Sequence, residues 1–181
     1  MKLLIASDIH GDAESAKILI DAFEANRCDK ILLLGDILYH GPRNNLPGRY
    51  APKEVIELLN GYGDKILSVR GNCDTEVDQM VLEFPVLADY AVLSIDDLTM
   101  YATHGHNYNT KTPPPLCDGD ILLHGHTHVI RAESFGKNNT YINPGSITLP
   151  KEECPRSYVI YENRTFTFYN ISGEIIKEVI F

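Results

Sequence analysis

The chain is predicted to be an α/β protein, a four-layer αββα sandwich in which two mixed β-sheets pack face to face with helices outside. Three observations predict it. The first half alternates short apolar runs with amphipathic helical stretches, the second half carries alternating runs separated by tight turns, and no linker, repeat or low-complexity tract divides the halves. At 181 residues the chain is long enough to bury a continuous core and too short for two ordinary domains, so one domain over residues 1–181 is expected.

The apolar run Leu3, Leu4, Ile5, Ala6 reads as a buried strand that stops at Ser7-Asp8. Ala16, Leu19, Ile20 and Phe23 follow at i, i+3, i+4, i+7 spacing, one face of a helix, with Asp12 placed as its cap. Residues 30–34 form the next strand, ending at Gly35-Asp36. A polar loop rich in Gly, Pro, Asn and Arg spans residues 39–50, before a helix whose apolar face includes Val55, Ile56, Leu58 and Leu59. Residues 65–69 complete a βαβαβ pattern with a parallel sheet, and stop at Arg70-Gly71-Asn72-Cys73-Asp74. Beyond Pro85 the pattern changes. Residues 91–95 and 98–102 flank Asp96-Asp97 at hairpin spacing, residues 121–123 are a short buried strand, and residues 158–161, 165–170 and 174–180 alternate across turns at Asn163-Arg164 and Ser172-Gly173. This half is expected to be mostly antiparallel.

With 44% apolar and 23% charged residues the composition is globular, and no stretch approaches the apolar length that crosses a bilayer. After Met1 and Lys2 the apolar run is too short for a signal peptide, so a cytoplasmic protein without a membrane partner is expected. Cys28, Cys73, Cys117 and Cys154 show no C-x-x-C spacing and read as reduced thiols. A formal charge of -9 argues against a nucleic-acid polymer as partner, because such binding needs a basic surface. It leaves room for a small phosphorylated substrate, since a bound metal can invert the local field.

Five polar clusters fall at strand ends or in loops: Asp8-Ile9-His10, Gly35-Asp36, Gly71-Asn72-Cys73-Asp74, Thr103-His104-Gly105-His106 and His124-Gly125-His126-Thr127-His128. Strand ends are where α/β proteins keep their sites. Asp8 and His10 are one residue apart, so in extended backbone both side chains leave on one face and can hold a cation between them. Alone, this pair better describes a helix cap and its neighbour. Every histidine except His40 lies in these clusters, beside glycines that let a ligand approach closely, and packing alone would not gather them there.

The clusters in this order, Asp-x-His, Gly-Asp, Gly-Asn, Gly-His and Gly-His-x-His, resemble the calcineurin-like metallophosphoesterase superfamily. Gly-Asn-Cys-Asp, the 39–50 loop and Asn143-Pro144-Gly145-Ser146 make the chain most similar to the YfcE-type phosphodiesterases. The resemblance implies a phosphodiesterase with two divalent ions, manganese as first guess, although nitrogen and oxygen donors also suit Fe, Zn, Co or Ni. It assigns Asp8, His10, Asp36 and His128 to the first metal, and Asp36, Asn72, His104 and His126 to the second. Asp36 is then the bridge, because a carboxylate has two oxygens whereas imidazole and the Asn carbonyl each serve one ion. A water held between the metals would be the nucleophile that attacks phosphorus in line.

One departure concerns the residue after Gly-Asn, where many superfamily members carry a His thought to assist the leaving group. Cys73 stands there, a poorer acid at neutral pH. Asn72 and Cys73 are candidate catalytic residues, with His106 as the alternative helper and Asp74 as a residue that orients a ligand or water. The 39–50 loop offers Arg43, Asn44 and Arg49 as substrate contacts, His40 a place on its rim, and His124 a structural role. Two alternatives remain: a phosphomonoesterase or nucleotidase on the same site, and a non-catalytic scaffold, for which a eukaryotic retromer subunit resembling this group is the precedent. Either leaves room for a homo-oligomer.

Overall fold

The computed structural model describes residues 1–181. The strands, in chain order, are β1 (Leu3–Ala6), β2 (Lys30–Leu33), β3 (Ile66–Ser68), β4 (Ala91–Ile95), β5 (Leu98–Thr103), β6 (Ile121–His124), β7 (Ile130–Phe135), β8 (Asn139–Pro144), β9 (Ser157–Glu162), β10 (Thr165–Asn170) and β11 (Ile175–Ile180). The helices are α1 (Ala13–Ala25), α2 (Pro52–Asn60) and the one-turn α3 (Glu76–Gln79). The strands form a six-stranded sheet in the order β11-β10-β9-β1-β2-β3 and a five-stranded sheet in the order β4-β5-β6-β8-β7. No helix is long and apolar enough to cross a membrane.

The apolar run of β1 is continuous because both its faces are buried. Leu4 and Ala6 join Ile31 and Leu33 under the apolar faces of α1 and α2, with Leu19, Phe23, Val55 and Leu59. Leu3 and Ile5 point the other way, into the core between the sheets, with Leu32, Met100, Leu123, Ile142 and Phe166. Each such side chain contributes about 1.5–3 kcal/mol on burial. β1, β2 and β3 are parallel, as the βαβαβ pattern predicts. β9 then runs antiparallel against the free edge of β1, so the C-terminal meander extends the first sheet.

The two mixed sheets are those expected, and three details of the second lie outside the sequence reading. β5, β6 and β8 are parallel neighbours, so the five-stranded sheet is mixed and only β4 and β7 pair antiparallel at its edges. The hairpin of β7 and β8 is absent from the sequence reading, because β8 is buried on both faces and its polar residues break any alternation. It also places Asn143 and Pro144 at the end of a strand. Finally, α1 and α2 pack on the six-stranded sheet. The outer face of the other is covered by residues 104–120, tied down where the Tyr101 hydroxyl donates to the Pro115 carbonyl, Thr103 to Tyr108 and Asn139 to Cys117. Pro113, Pro114 and Pro115 stand consecutively there, and proline interrupts a helix both sterically and by lacking an N–H.

Candidate metal centre

The loops that follow β1, β2, β3, β5 and β6 converge, and they carry the seven predicted ligands. Asp8, His10, Asp36, His126 and His128 all adopt left-handed backbone, with φ of 60°, 52°, 56°, 65° and 62°. Such a conformation costs an L residue about 1–3 kcal/mol, and clusters of it mark functional sites. Here it turns each side chain inward immediately beyond its strand.

The donor atoms form two groups. In one, Asp8 Oδ1 lies 3.1 Å from His128 Nε2 and 3.6 Å from His10 Nε2, and the two imidazole nitrogens are 3.4 Å apart. In the other, His104 Nε2 lies 3.0 Å from Asn72 Oδ1 and 3.1 Å from His126 Nδ1. Asp36 Oδ2 is 3.8 Å from His10 Nε2 and 3.5 Å from His104 Nε2, between the groups. Donors about 2.0–2.2 Å from a shared ion stand roughly 3–3.5 Å apart, so most of these spacings are those of a coordination shell. The Nδ1 atoms of His10, His104 and His128 meet the carbonyls of Tyr39, Leu34 and Leu149 at 2.8, 2.7 and 2.5 Å. A proton held on Nδ1 in this way leaves the Nε2 lone pair free for a metal.

Asp8 supplies the test of fit. Its carboxylate is fully buried, Oδ2 accepts from the His126 N–H at 3.1 Å, and Oδ1 has no hydrogen-bond partner. Burial opposes its charge, yet the His10 and His128 imidazoles beside it hold its carboxyl well below the usual range. A buried anionic oxygen without a donor is costly unless a cation meets it. Burial, and then His104, lower His126 to about 4, so this imidazole is neutral and able to ligate. The donor set of carboxylate, imidazole and amide oxygen fits divalent transition ions.

A model of the calcineurin-like phosphoesterase superfamily domain matches residues 1–165. The chain belongs to the calcineurin-like phosphoesterase superfamily. It is 40% identical to phosphodiesterase YfcE of Escherichia coli over 176 residues, which cover 97% of this chain and 95% of that protein. The solved structure of that phosphoesterase superposes with a TM-score of 0.95, covering 99% of this chain and 98% of the other. A probable metallophosphoesterase of Bacillus subtilis, YsnB, is 27% identical over 190 residues, with 99% and 96% covered. Vps29 of Entamoeba histolytica shares the fold, at a TM-score of 0.64 and 23% identity over 100% of this chain and 99% of that one.

In this superfamily member a cleft of about 460 Å³ opens over the donor atoms, lined by Asp36, Asn72, Cys73 and His128 and rimmed by Arg43, Asn44 and Lys151. Arg43 and Asn44 thus lie where the sequence expects substrate contacts. Arg49 does not. Its backbone N–H donates to Asp12 Oδ2 and its carbonyl accepts from Ala13, which pins it against α1, and its guanidinium pairs with Glu54 at 3.5 Å away from the cleft. Lys151 was missed because it reaches the cleft only through tertiary folding, without a local pattern to announce it, whereas Thr127 was named within the fifth cluster but given no role.

Asp74 stands behind the donors, where it can orient one of them. It is buried, and its carboxylate accepts from the backbone N–H groups of Asp36, Ile37 and Gly71 at 2.7–2.9 Å, so it positions Asp36 and does not face the cleft. Burial raises its pKa to about 6 against the effect of those hydrogen bonds. Gly71 is required beside it, since a Cβ there would lie 2.1 Å from Asp36 Oδ1. Cys73 lines the cleft, its N–H donating to Asp36 Oδ1 and its sulfur accepting from Asn72 Nδ2. Burial, and then Asp36, push its thiol up, so it stays protonated and supplies no thiolate. His106 stands beside His104 and His126, its ring centroid 5.4 Å from the first and 6.2 Å from the second. His40 packs edge-on between Tyr39 and Tyr50, and His124 stacks on Tyr141.

Proposed function

We propose that the chain is a metal-dependent phosphodiesterase acting on a small phosphodiester at this centre, with two divalent ions, manganese first among them. The observation that carries the reading is Asp36 Oδ2 standing between two groups of donors, one of which includes the unpartnered Asp8 Oδ1. Asp8, His10, Asp36 and His128 would hold one ion, and Asp36, Asn72, His104 and His126 the other. Bound ions would supply an activated water and positive charge for the phosphoryl oxygens. The chain's own part is to keep the imidazoles neutral and aimed, and to offer Arg43, Asn44 and Lys151 as cationic and amide contacts that orient the phosphate. No strong general acid lines this cleft, since Cys73 keeps its proton, so esters with good leaving groups should react best. The name of the E. coli relative supports the diester preference.

The test compares kcat/KM for mono- and diesters that share a 4-nitrophenolate leaving group, using metal-loaded protein and Asp36→Asn. The diester is expected to be preferred, and Asp36→Asn to lose at least about 100-fold in rate together with metal affinity. Absence of diester hydrolysis, with Asp36→Asn binding metal like the parent, would sink the proposal.

A further inference from the structure

A second cleft, of about 410 Å³, adjoins the first and shares His126 and Thr127 with it. It contains none of the other donor residues. Its walls are His106, His124, Tyr141 and Val129, and its rim carries Lys111 and an Arg131–Glu152 ion pair at 2.7 Å. Two polar atoms in its walls have no partner: His106 Nδ1, and Nε2 of His124, which is only 3% exposed. Buried polar atoms are rarely left unpaired without a water or ligand to meet them.

The backbone of Lys111 is held at the rim, and its side chain is exposed. Asn109 Oδ1 accepts from the backbone N–H groups of Lys111 and Thr112, and Asn109 Nδ2 donates to the Gly105 carbonyl beside His104. Its ammonium pairs with no carboxylate, whereas the Arg131 charge is largely matched by Glu152. The second cleft therefore presents one uncompensated positive charge at its rim and the His106 and His124 rings in its walls, next to a candidate ligand histidine of the reaction centre.

We infer that this second cleft is a subsite for the second ester arm of the substrate, and that it takes an arm bearing an anionic group, a carboxylate or a further phosphate. The inference rests on the phosphodiesterase reading. The first cleft holds the donors together with Arg43 and Lys151, so the phosphoryl group belongs there. Only a diester has a second arm to extend past His126 into the neighbouring space, and a cleft of this size accommodates one of several heavy atoms. Lys111 would meet the arm's anion by a charge-assisted contact.

The test uses diesters with one 4-nitrophenyl arm and a second arm that is methyl, carboxyalkyl or phosphoalkyl, assayed with metal-loaded wild type, Lys111→Gln and Lys151→Gln. The quantity read is the ratio of kcat/KM for each charged arm to that for methyl. Wild type is expected to favour a charged arm about tenfold, the carboxyalkyl and phosphoalkyl members separating the two sources of charge. Lys111→Gln should abolish that ratio, and Lys151→Gln should lower charged and methyl substrates together. A ratio unchanged in Lys111→Gln, or lost in Lys151→Gln instead, overturns the subsite while leaving phosphodiesterase activity standing. Failure to hydrolyse any of the diesters overturns the phosphodiesterase reading and the subsite with it.

Discussion

Five ligand residues sit in left-handed backbone, and Gly125 lies between two of the clusters they form. A Cβ on Gly125 would stand 1.9 Å from Ser7 Oγ and 2.7 Å from Asp8 Oδ2, so the loop after β6 can approach the loop after β1 only without a side chain. Gly125→Ala is therefore expected to cost about 1–3 kcal/mol in stability and to reduce bound metal, read by thermal melting and metal analysis. Unchanged melting and metal content would refute this account of the contact. The candidate ligands were legible in the sequence because their chemistry is a property of residue type at strand ends. The backbone strain was not, since aspartate and histidine adopt extended or left-handed backbone according to what surrounds them.

Among the elements, α1 shows how one local signal acquires a tertiary duty. Asp12 was legible as its cap, and Asp12 Oδ1 accepts from the Ser15 N–H at 2.8 Å as a capping residue does. Asp12 Oδ2 also accepts from Arg49, anchoring the end of the 39–50 loop. Asp12→Ala should thus cost about 1–2 kcal/mol and speed amide exchange near Arg49 as well as at the start of α1. Faster exchange in α1 alone would mean that the loop is held by other contacts. The β7–β8 hairpin was not legible, because β8 is buried on both faces and carries polar Asn139, Thr140 and Asn143 among its apolar residues, so no alternation marks it.

In the whole molecule, the two sheets bring buried carboxylates Asp8 and Asp36 together at the rim, beside six of the seven histidines. A cation that binds only the folded protein stabilises it by mass action, about 2.7 kcal/mol at a free concentration 100 times Kd. Chelation should lower Tm, and added Mn2+ should restore it in a concentration-dependent way. A Tm indifferent to both would argue against the metal centre. The βαβαβ half, the burial of β1 and the order of the five polar clusters could be read directly from the residues, because periodicity and residue chemistry are local properties. Only the tertiary structure decided that β9 joins β1, that Asp74 supports Asp36 from behind, that Arg49 turns away and Lys151 arrives, and that a second cleft opens past His126. Those outcomes depend on which distant loops meet when the two sheets close on one core, and no window of sequence contains both partners.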